Sequence, residues 1–145
     1  MRGPLPHDKP VPIRLYAMLT WTTLRRLPLI HSRAAAFLRR VLPEIARRHD
    51  ARVIELGIVR NHVHLVLELP ARVDIPRLVQ GLKGASARIA NRDGIMLRAR
   101  LRWADGYDLR SLGVRDLRRA IAPGLRARAR RYVRPVTTRP RPCAP

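Results

Sequence analysis

The fold is decided by residues 51–70, which read ARVIELGIVRNHVHLVLELP. Apolar and other residues alternate through the second half of this stretch, and a period of two is typical of a strand with one face in a core. We therefore predict one strand over 51–60 and another over 61–69, with a tight turn or a bulge near Arg60 and Asn61. Strands joined so closely pair antiparallel.

Further elements follow on both sides of this strand pair. Ser32 is the predicted N-cap of a first helix, and Pro43 inside that helix predicts a kink or a break. Asp74 and Pro76 mark the start of a second helix, whose apolar residues recur at helical spacing. The remaining expectations are a strand over 13–23, helices over 33–49 and 74–92, a strand within 100–112, and a basic helical segment over 114–132 that Pro123-Gly124 interrupts.

The order of these elements, β-α-β-β-α-β followed by a helix, is that of the ferredoxin-like, split βαβ arrangement. We therefore predict an α+β fold with an antiparallel sheet, the two main helices on one face, and the other face open to a ligand. The domain is predicted to span 13–134. It follows a flexible Pro-rich arm over 1–12 and precedes a disordered Pro- and Arg-rich tail over 135–145.

The composition excludes several classes of protein. With 46% apolar residues, this chain of 145 residues can form a core and is not a disordered protein. Its one cysteine, Cys143, excludes an internal disulfide and a cysteine-based metal site. No stretch approaches the about 18 consecutive apolar residues of a membrane span, and the N-terminus lacks the apolar run of a signal peptide. We expect no membrane association and an intracellular location.

The charge of the chain indicates its partner. Lys and Arg number 31 against 10 Asp and Glu, which gives a formal net charge of +21. Only Lys9 and Lys83 are lysines, so arginine dominates. Each neutralised phosphate releases counterions, and the guanidinium group is a planar, bidentate phosphate donor. A polyanionic partner is therefore expected.

His62 and His64 are two residues apart on a predicted strand, so both imidazoles project from the same face, opposite to Val63 and Leu65. Neutral imidazole binds divalent metals, and two ligands suit an open site in which water and a phosphate oxygen complete the coordination. Glu68 shares the face, but at about 3.3 Å per residue it is too far along the strand to share one ion. A His-x-His pair on a strand can also be plain surface decoration, and the pair alone leaves both interpretations open.

Three motifs in order give a more specific indication. Asn61-His62-Val63-His64-Leu65 resembles the HUH motif, the segment 78–86 (LVQGLKGAS) resembles the helix that follows it, and Trp103, Gly106, Tyr107 and Ser111 match a W-x-x-G-Y-x-x-x-S segment. Together they resemble the single-tyrosine HUH transposases of the insertion-sequence type and their REP-associated tyrosine transposase relatives. The resemblance covers roughly residues 13–121.

This resemblance implies a function. Such enzymes bind single-stranded DNA with hairpins and cut it when a tyrosine hydroxyl attacks the scissile phosphate, which leaves a 5′-phosphotyrosine and a free 3′-OH. It also implies that His62 and His64 hold Mg²⁺ or Mn²⁺, which polarises the phosphate. Members often work as dimers, although REP-associated relatives can act as monomers, so a homodimer stays open. A bacterial cytoplasm is the implied location.

The chain departs from the family pattern at the nucleophile. Without gaps, the expected tyrosine position falls near Pro123, and the nearest candidate is Tyr132, which requires an insertion. The polar residue four positions further on, usually a third metal ligand, would be Val136, which cannot ligate. Three interpretations therefore remain: an active transposase that uses Tyr132, a catalytically degenerate relative that binds DNA, and a basic ferredoxin-like module for RNA or DNA without a metal.

The second predicted helix is the expected DNA contact. Lys83 lies in the matched motif and is predicted to contact a phosphate, with an ordinary solvated lysine as the alternative. Gly81 and Gly84 could admit DNA or simply let the helix pack closely. The residues predicted to bind DNA are Arg77, Gln80, Lys83 and Arg88.

Overall fold

A computed structural model describes residues 15–121 of the chain. The predicted arm, the predicted tail, Pro123 and Tyr132 lie outside these residues. The described elements confirm the predicted α+β order and lie close to the predicted bounds. They are β1 (Leu15–Thr22), a 3₁₀ turn (Leu24–Arg26), α1 (Ser32–Arg48), β2 (Arg52–Val59), β3 (His62–Leu69), α2 (Ile75–Arg92), β4 (Asp108–Leu112) and α3 (Val114–Ile121).

The four strands form one sheet in the order β2-β3-β1-β4, and every neighbouring pair is antiparallel. This is the strand order of the ferredoxin-like fold, in which the first and third strands are central. His64 lies opposite Thr20 of β1 and Gly57 of β2, while His62 lies opposite Thr22 and Val59. Both histidines therefore stand on a central strand, at the end where β3 begins.

One face of the sheet packs against α1 and α2. Leu19, Val63 and Leu65 are fully buried in this core together with Leu38 and Leu82 from the two helices. This confirms that the odd-numbered residues of β3 face the core. Burial of each such side chain stabilises the fold by about 1.5–3 kcal/mol, so the alternation in β3 leaves the even-numbered histidines on the opposite face.

The first helix corrects two expectations. Its N-cap is His31 and not Ser32, because Nδ1 of His31 accepts a hydrogen bond from the Ala34 backbone N–H at 3.3 Å. The helix also continues through Pro43 without a break. Core packing outweighs the hydrogen bond that proline removes, since Leu42 and Ile45 on both sides of Pro43 are buried.

A bulge in β2 decides which residues of that strand face the histidines. The pairing with β3 shifts between Val53 and Glu55. Because side chains alternate with period two, one extra residue reverses the face of everything that follows. Gly57 therefore lies on the histidine face, and Ile58 packs against the core.

The last described helix covers part of the face that was predicted to be open. α3 contacts β2 and β4, the two edge strands, so it crosses the face opposite to α1 and α2. Val66, on β3 and on this face, is only 2% exposed, and Ala120 of α3 is 6% exposed. The histidines, at the other end of this face, stay half-buried. Among the described residues, no helix is long and apolar enough to cross a membrane.

Candidate functional site

The two histidines form a pair on the accessible half of the face. Their ring centroids are 6.0 Å apart with the ring planes inclined by 35°, and both side chains are half-buried. Thr20 and Thr22 lie beside them on β1. Metal–nitrogen bonds are about 2.1 Å long, so the two side chains would have to rotate for one nitrogen of each ring to reach the same ion.

His62 is oriented by the residue before it. Its Nδ1 lies 2.8 Å from the Asn61 side-chain Oδ1. Because an amide oxygen can only accept, Nδ1 carries the proton and Nε2 holds the lone pair. A hydrogen bond to the nitrogen that does not ligate is the usual way in which proteins orient a metal-binding histidine. The bond to Asn61 therefore leaves the Nε2 lone pair of His62 available to a ligand.

His64 is held differently. The ring edge formed by Cδ2, Nε2 and Cε1 lies directly over Gly57. Its Nδ1 is buried and has no hydrogen-bond partner within the described residues. A buried, unpaired nitrogen is costly in a fold, and a cation that reached this nitrogen would remove that cost.

Both imidazoles are kept neutral. Burial, the neighbouring His64 and then Arg26 lower the pKa of His62, and burial lowers the pKa of His64. Neutral imidazole is the form that binds metals, so both rings are ready to ligate near neutral pH. Among residues 15–121, no group of three His, Cys, Asp or Glu side chains could hold a metal. Glu68 lies four residues from His64 along β3 and is ion-paired with Arg52 of β2.

Basic loops surround this end of the sheet. The backbone N–H of Thr23 donates to Asn61 O at 2.9 Å, that of Leu24 donates to Arg102 O at 2.9 Å, and that of Ile30 donates to Arg60 O at 3.0 Å. These bonds tie together residues 23–31, 60–61 and 101–104, which contain no acidic residue. The exposed arginines of these three loops, called here the loop arginines, are Arg25, Arg26, Arg60 and Arg102.

The turn after β1 carries backbone strain. Arg25 and Arg26 have φ angles of 52° and 56°, in the left-handed region that residues other than glycine rarely adopt. Each such residue costs on the order of 1–3 kcal/mol and persists only where the surroundings impose it. The Thr23 hydroxyl, fully buried, bonds to Leu27 O at 2.6 Å and so stabilises the turn. Strain of this kind clusters at ligand sites.

Side-chain hydrogen bonds join the segment 78–86 to the segment that begins at Trp103. The Trp103 indole N–H donates to Ser86 Oγ at 3.1 Å, and Lys83 Nζ donates to the carbonyls of Ala104 at 2.6 Å and Gly106 at 3.0 Å. Burial lowers the pKa of Lys83, and Asp105 opposes this shift. Lys83 thus anchors the approach to β4, a role that sequence reasoning missed, and its predicted phosphate contact stays a prediction.

The other residues predicted to bind DNA lie on the far side of the molecule from the histidines. Arg77, Gln80 and Arg88 are exposed on α2, which packs on the opposite face of the sheet. Gly81 serves helix packing, because a Cβ at this position would overlap with the His49 imidazole. The structure brings none of these residues to the histidine pair.

Sequence reasoning also missed two residues of the site. Asn61 was part of a motif but had no role, and Gly57 was not singled out. A glycine inside a strand often marks a close approach of another group, which is the signal that could have identified Gly57. Its partner could not be identified, because that depends on the bulge in β2.

Comparison with known proteins assigns the family. The profile described as "Transposase IS200 like" matches residues 13–121, which are 109 of the 145 residues. The chain belongs to the IS200-like transposase family. This confirms the resemblance that the three motifs indicated, and residues 61–64 and 78–86 both lie within the matched region.

Individual relatives agree with this family. The chain is 36% identical over 70 residues to the ISDra2 transposase TnpA of Deinococcus radiodurans, a region that covers 48% of this chain and 50% of that protein. The chain thus spans about half the length of the curated relative that it matches.

Two solved structures of transposases share the fold. A protein assigned as a transposase in Deinococcus radiodurans R1 has a TM-score of 0.65 and 23% identity, with 92% of this chain and 95% of that one covered. A REP-associated tyrosine transposase bound to a REP hairpin has a TM-score of 0.56 and 16% identity, with 78% and 66% covered. At these identities both support the fold alone.

Proposed function

We propose that this IS200-like transposase chain binds hairpin-bearing single-stranded DNA and cleaves and rejoins it through a 5′-phosphotyrosine intermediate. The observation that carries the proposal is the pair of neutral, half-buried imidazoles of His62 and His64 on a sheet face surrounded by the loop arginines. A divalent cation bound by two imidazoles with open positions suits a phosphate in this basic setting.

The proposed reaction is a transesterification. The Tyr132 hydroxyl attacks the scissile phosphorus, the bond between phosphorus and the 3′-oxygen breaks, and that oxygen takes up a proton as the phenol loses one. The result is a 5′-phosphotyrosine and a free 3′-OH. Rejoining reverses these steps when a 3′-OH of another strand attacks the phosphotyrosine. One phosphoester bond replaces another in each step, so no external energy source is needed.

The donor set fits a divalent metal. His62 offers Nε2, because Nδ1 is bonded to Asn61, and His64 offers a buried nitrogen without a hydrogen-bond partner among the described residues. When bound, Mg²⁺ or Mn²⁺ would act as a Lewis acid on the scissile phosphate. Imidazole favours Mn²⁺ over Mg²⁺, so Mn²⁺ is the first ion to test.

Charge and relatedness support the DNA partner. The net charge of +21 favours a polyanion, and one structural relative is a transposase bound to a REP hairpin. The loop arginines would contact the strand that enters the site, while Arg77, Gln80, Lys83 and Arg88 of α2 would contact DNA elsewhere. Neither tryptophan offers a base-stacking platform, because Trp21 is buried in the core and Trp103 packs against it. This disfavours an RNA-binding sheet.

Two further aspects complete the proposal. The two histidines lie at the start of β3. A homodimer in which one subunit's tyrosine serves the other subunit's histidines is compatible with that position. The place of action would be a bacterial cytoplasm, as the resemblance implies.

A second candidate is a relative that binds DNA without cutting it. It is favoured by the absence of a tyrosine at the ungapped nucleophile position and by Val136 at the position of the usual third ligand. The two candidates share the fold and the DNA partner and differ only in the covalent step.

The deciding experiment is a denaturing-gel assay for a covalent adduct. The full chain is mixed with labelled hairpin-bearing single-stranded DNA and Mn²⁺, beside a Tyr132→Phe variant. We expect an adduct that the variant does not form. An adduct that persists in the variant would move the nucleophile to Tyr107 or Tyr16. No adduct on several hairpins, with binding intact, would favour the DNA-binding relative.

A further inference from the structure

The clearest steric constraint near the histidine pair lies on the neighbouring strand. Gly57 of β2 lies directly opposite His64 of β3. A Cβ built at position 57 would lie 2.5 Å from Cδ2 of His64 and closer still to Cε1 and Nε2. Real Cβ atoms do not approach other atoms so closely, so any other residue at position 57 would occupy the volume of the imidazole.

The glycine is there for its lack of a side chain and not for its backbone. Among the described glycines, Gly94 and Gly106 have positive φ angles and Gly57 does not. It also lies inside a strand, where glycine destabilises the fold because it loses more conformational freedom than other residues. Alanine at this position would therefore favour the strand if the His64 ring were absent.

The bulge in β2 creates this contact. Without the shift between Val53 and Glu55, the alternation would turn Gly57 toward the helices and a bulky neighbour toward His64. With the shift, the smallest residue of the strand faces the ring. Bulges are over-represented next to active sites, where they redirect side chains.

We infer that Gly57 is the positioning residue that gives the His64 imidazole room to lie beside His62 on the proposed metal-binding face. With Cδ2, Nε2 and Cε1 of the ring resting on Gly57, the unpaired Nδ1 is held on the other side of the ring. A methyl group at position 57 displaces the ring, which can rotate about its side-chain bonds more readily than two paired strands can separate. The contact between Gly57 and the His64 ring is a feature of the structure. That this ring binds a metal rests on the proposed function.

The test measures the ring and the metal separately. In metal-free protein, Gly57→Ala should shift the imidazole NMR signals of His64, which report the displaced ring. In calorimetric titration with Mn²⁺ alone, the same variant should bind at least about tenfold more weakly than the parent chain, as for other losses of ligand orientation. Gly84→Ala is the matched control, since nothing lies within 4 Å of a Cβ at that exposed helix position. It should leave both measurements unchanged.

A double-mutant cycle distinguishes seating from general damage. In a His64→Ala background, Gly57→Ala should raise the melting temperature and leave the residual Mn²⁺ affinity unchanged, because no ring remains to be displaced. In the parent background it should lower the melting temperature. If Gly57→Ala alone does not fold but the double variant does, the result would still support a direct contact between residue 57 and the His64 ring. If neither variant folds, the inference is overturned.

The remaining outcomes are also informative. Unchanged His64 signals and unchanged Mn²⁺ affinity in Gly57→Ala would overturn the inference while the metal site itself stands. If the parent chain does not bind Mn²⁺, the metal in the proposed function is refuted. The role of Gly57 in positioning a metal ligand is then refuted as well. The shifted ring signals would then show a packing contact only.

Discussion

The two halves of the sheet face opposite α1 and α2 differ in almost every property. In one half, Val66 is only 2% exposed, on the face that α3 crosses. In the other half, His62 and His64 are half-buried beside threonines and a glycine, and basic loops surround them. Two residues along β3 separate a buried apolar side chain, Val66, from the half-buried imidazole of His64. The difference teaches that a single strand can bury an apolar side chain at one position and present a candidate metal ligand two residues away.

The largest expected effect comes from the polar half. Replacing both His62 and His64 with Ala should abolish DNA cleavage and leave DNA binding intact, because the metal is lost but the arginines remain. Adduct formation with Mn²⁺ and equilibrium binding to the same hairpin strand are the measurements. Cleavage at the parent rate would remove the metal from the mechanism and end the functional distinction between the two halves.

The apolar half should respond in the opposite way. Val66→Ala removes two buried methyl groups and should lower the free energy of unfolding by about 2 kcal/mol. Mn²⁺ affinity should stay at the parent value, since the metal-binding atoms are untouched. Denaturant unfolding and Mn²⁺ titration check both expectations. A stability equal to that of the parent would show that the Val66 side chain is not buried.

The loop arginines sharpen the comparison further. Arg60→Gln and Arg102→Gln should each weaken binding of single-stranded DNA and reduce the slope of log affinity against log salt by about 1 per lost phosphate contact. Arg47→Gln is the control, because Arg47 pairs with Glu44 at 3.5 Å on α1, away from the site. Equal losses in all three variants would indicate a diffuse basic surface.

The smallest expected effect is on the pH dependence of stability. The pKa values of His62 and His64 are lowered from 6.5, so the unfolded chain binds more protons than the folded one below that pH. Their contribution is complete above pH 6.5 and is lost as the pH falls through the folded-state pKa values. The variant with both histidines replaced by Ala should show a shallower loss of stability in acid. Parallel curves for parent and variant would contradict the lowered pKa values.

Some of the site could be predicted from local pattern. The alternation in β3 identifies the histidine face because a strand has a period of two, and the motifs identify the family because their residues lie in order along the chain. The N-cap at His31, the continuous helix through Pro43 and the anchoring role of Lys83 could not be predicted. The helix through Pro43 depends on core packing that outweighs a local preference, and the role of Lys83 depends on residues distant in the chain. The cap at His31 is a local contact with Ala34, but histidine is not among the preferred N-cap residues.

The sequence by itself determined the element order, the antiparallel ferredoxin-like sheet, the paired imidazoles and the basic charge, because periodicity, turn chemistry and composition are local properties. Only the tertiary structure decided that α3 covers part of the sheet face, that α2 lies far from the histidines, and that Gly57 supports His64. These features depend on strand register, on a one-residue bulge and on which surfaces pack together, and such relations exist only once distant segments are in contact.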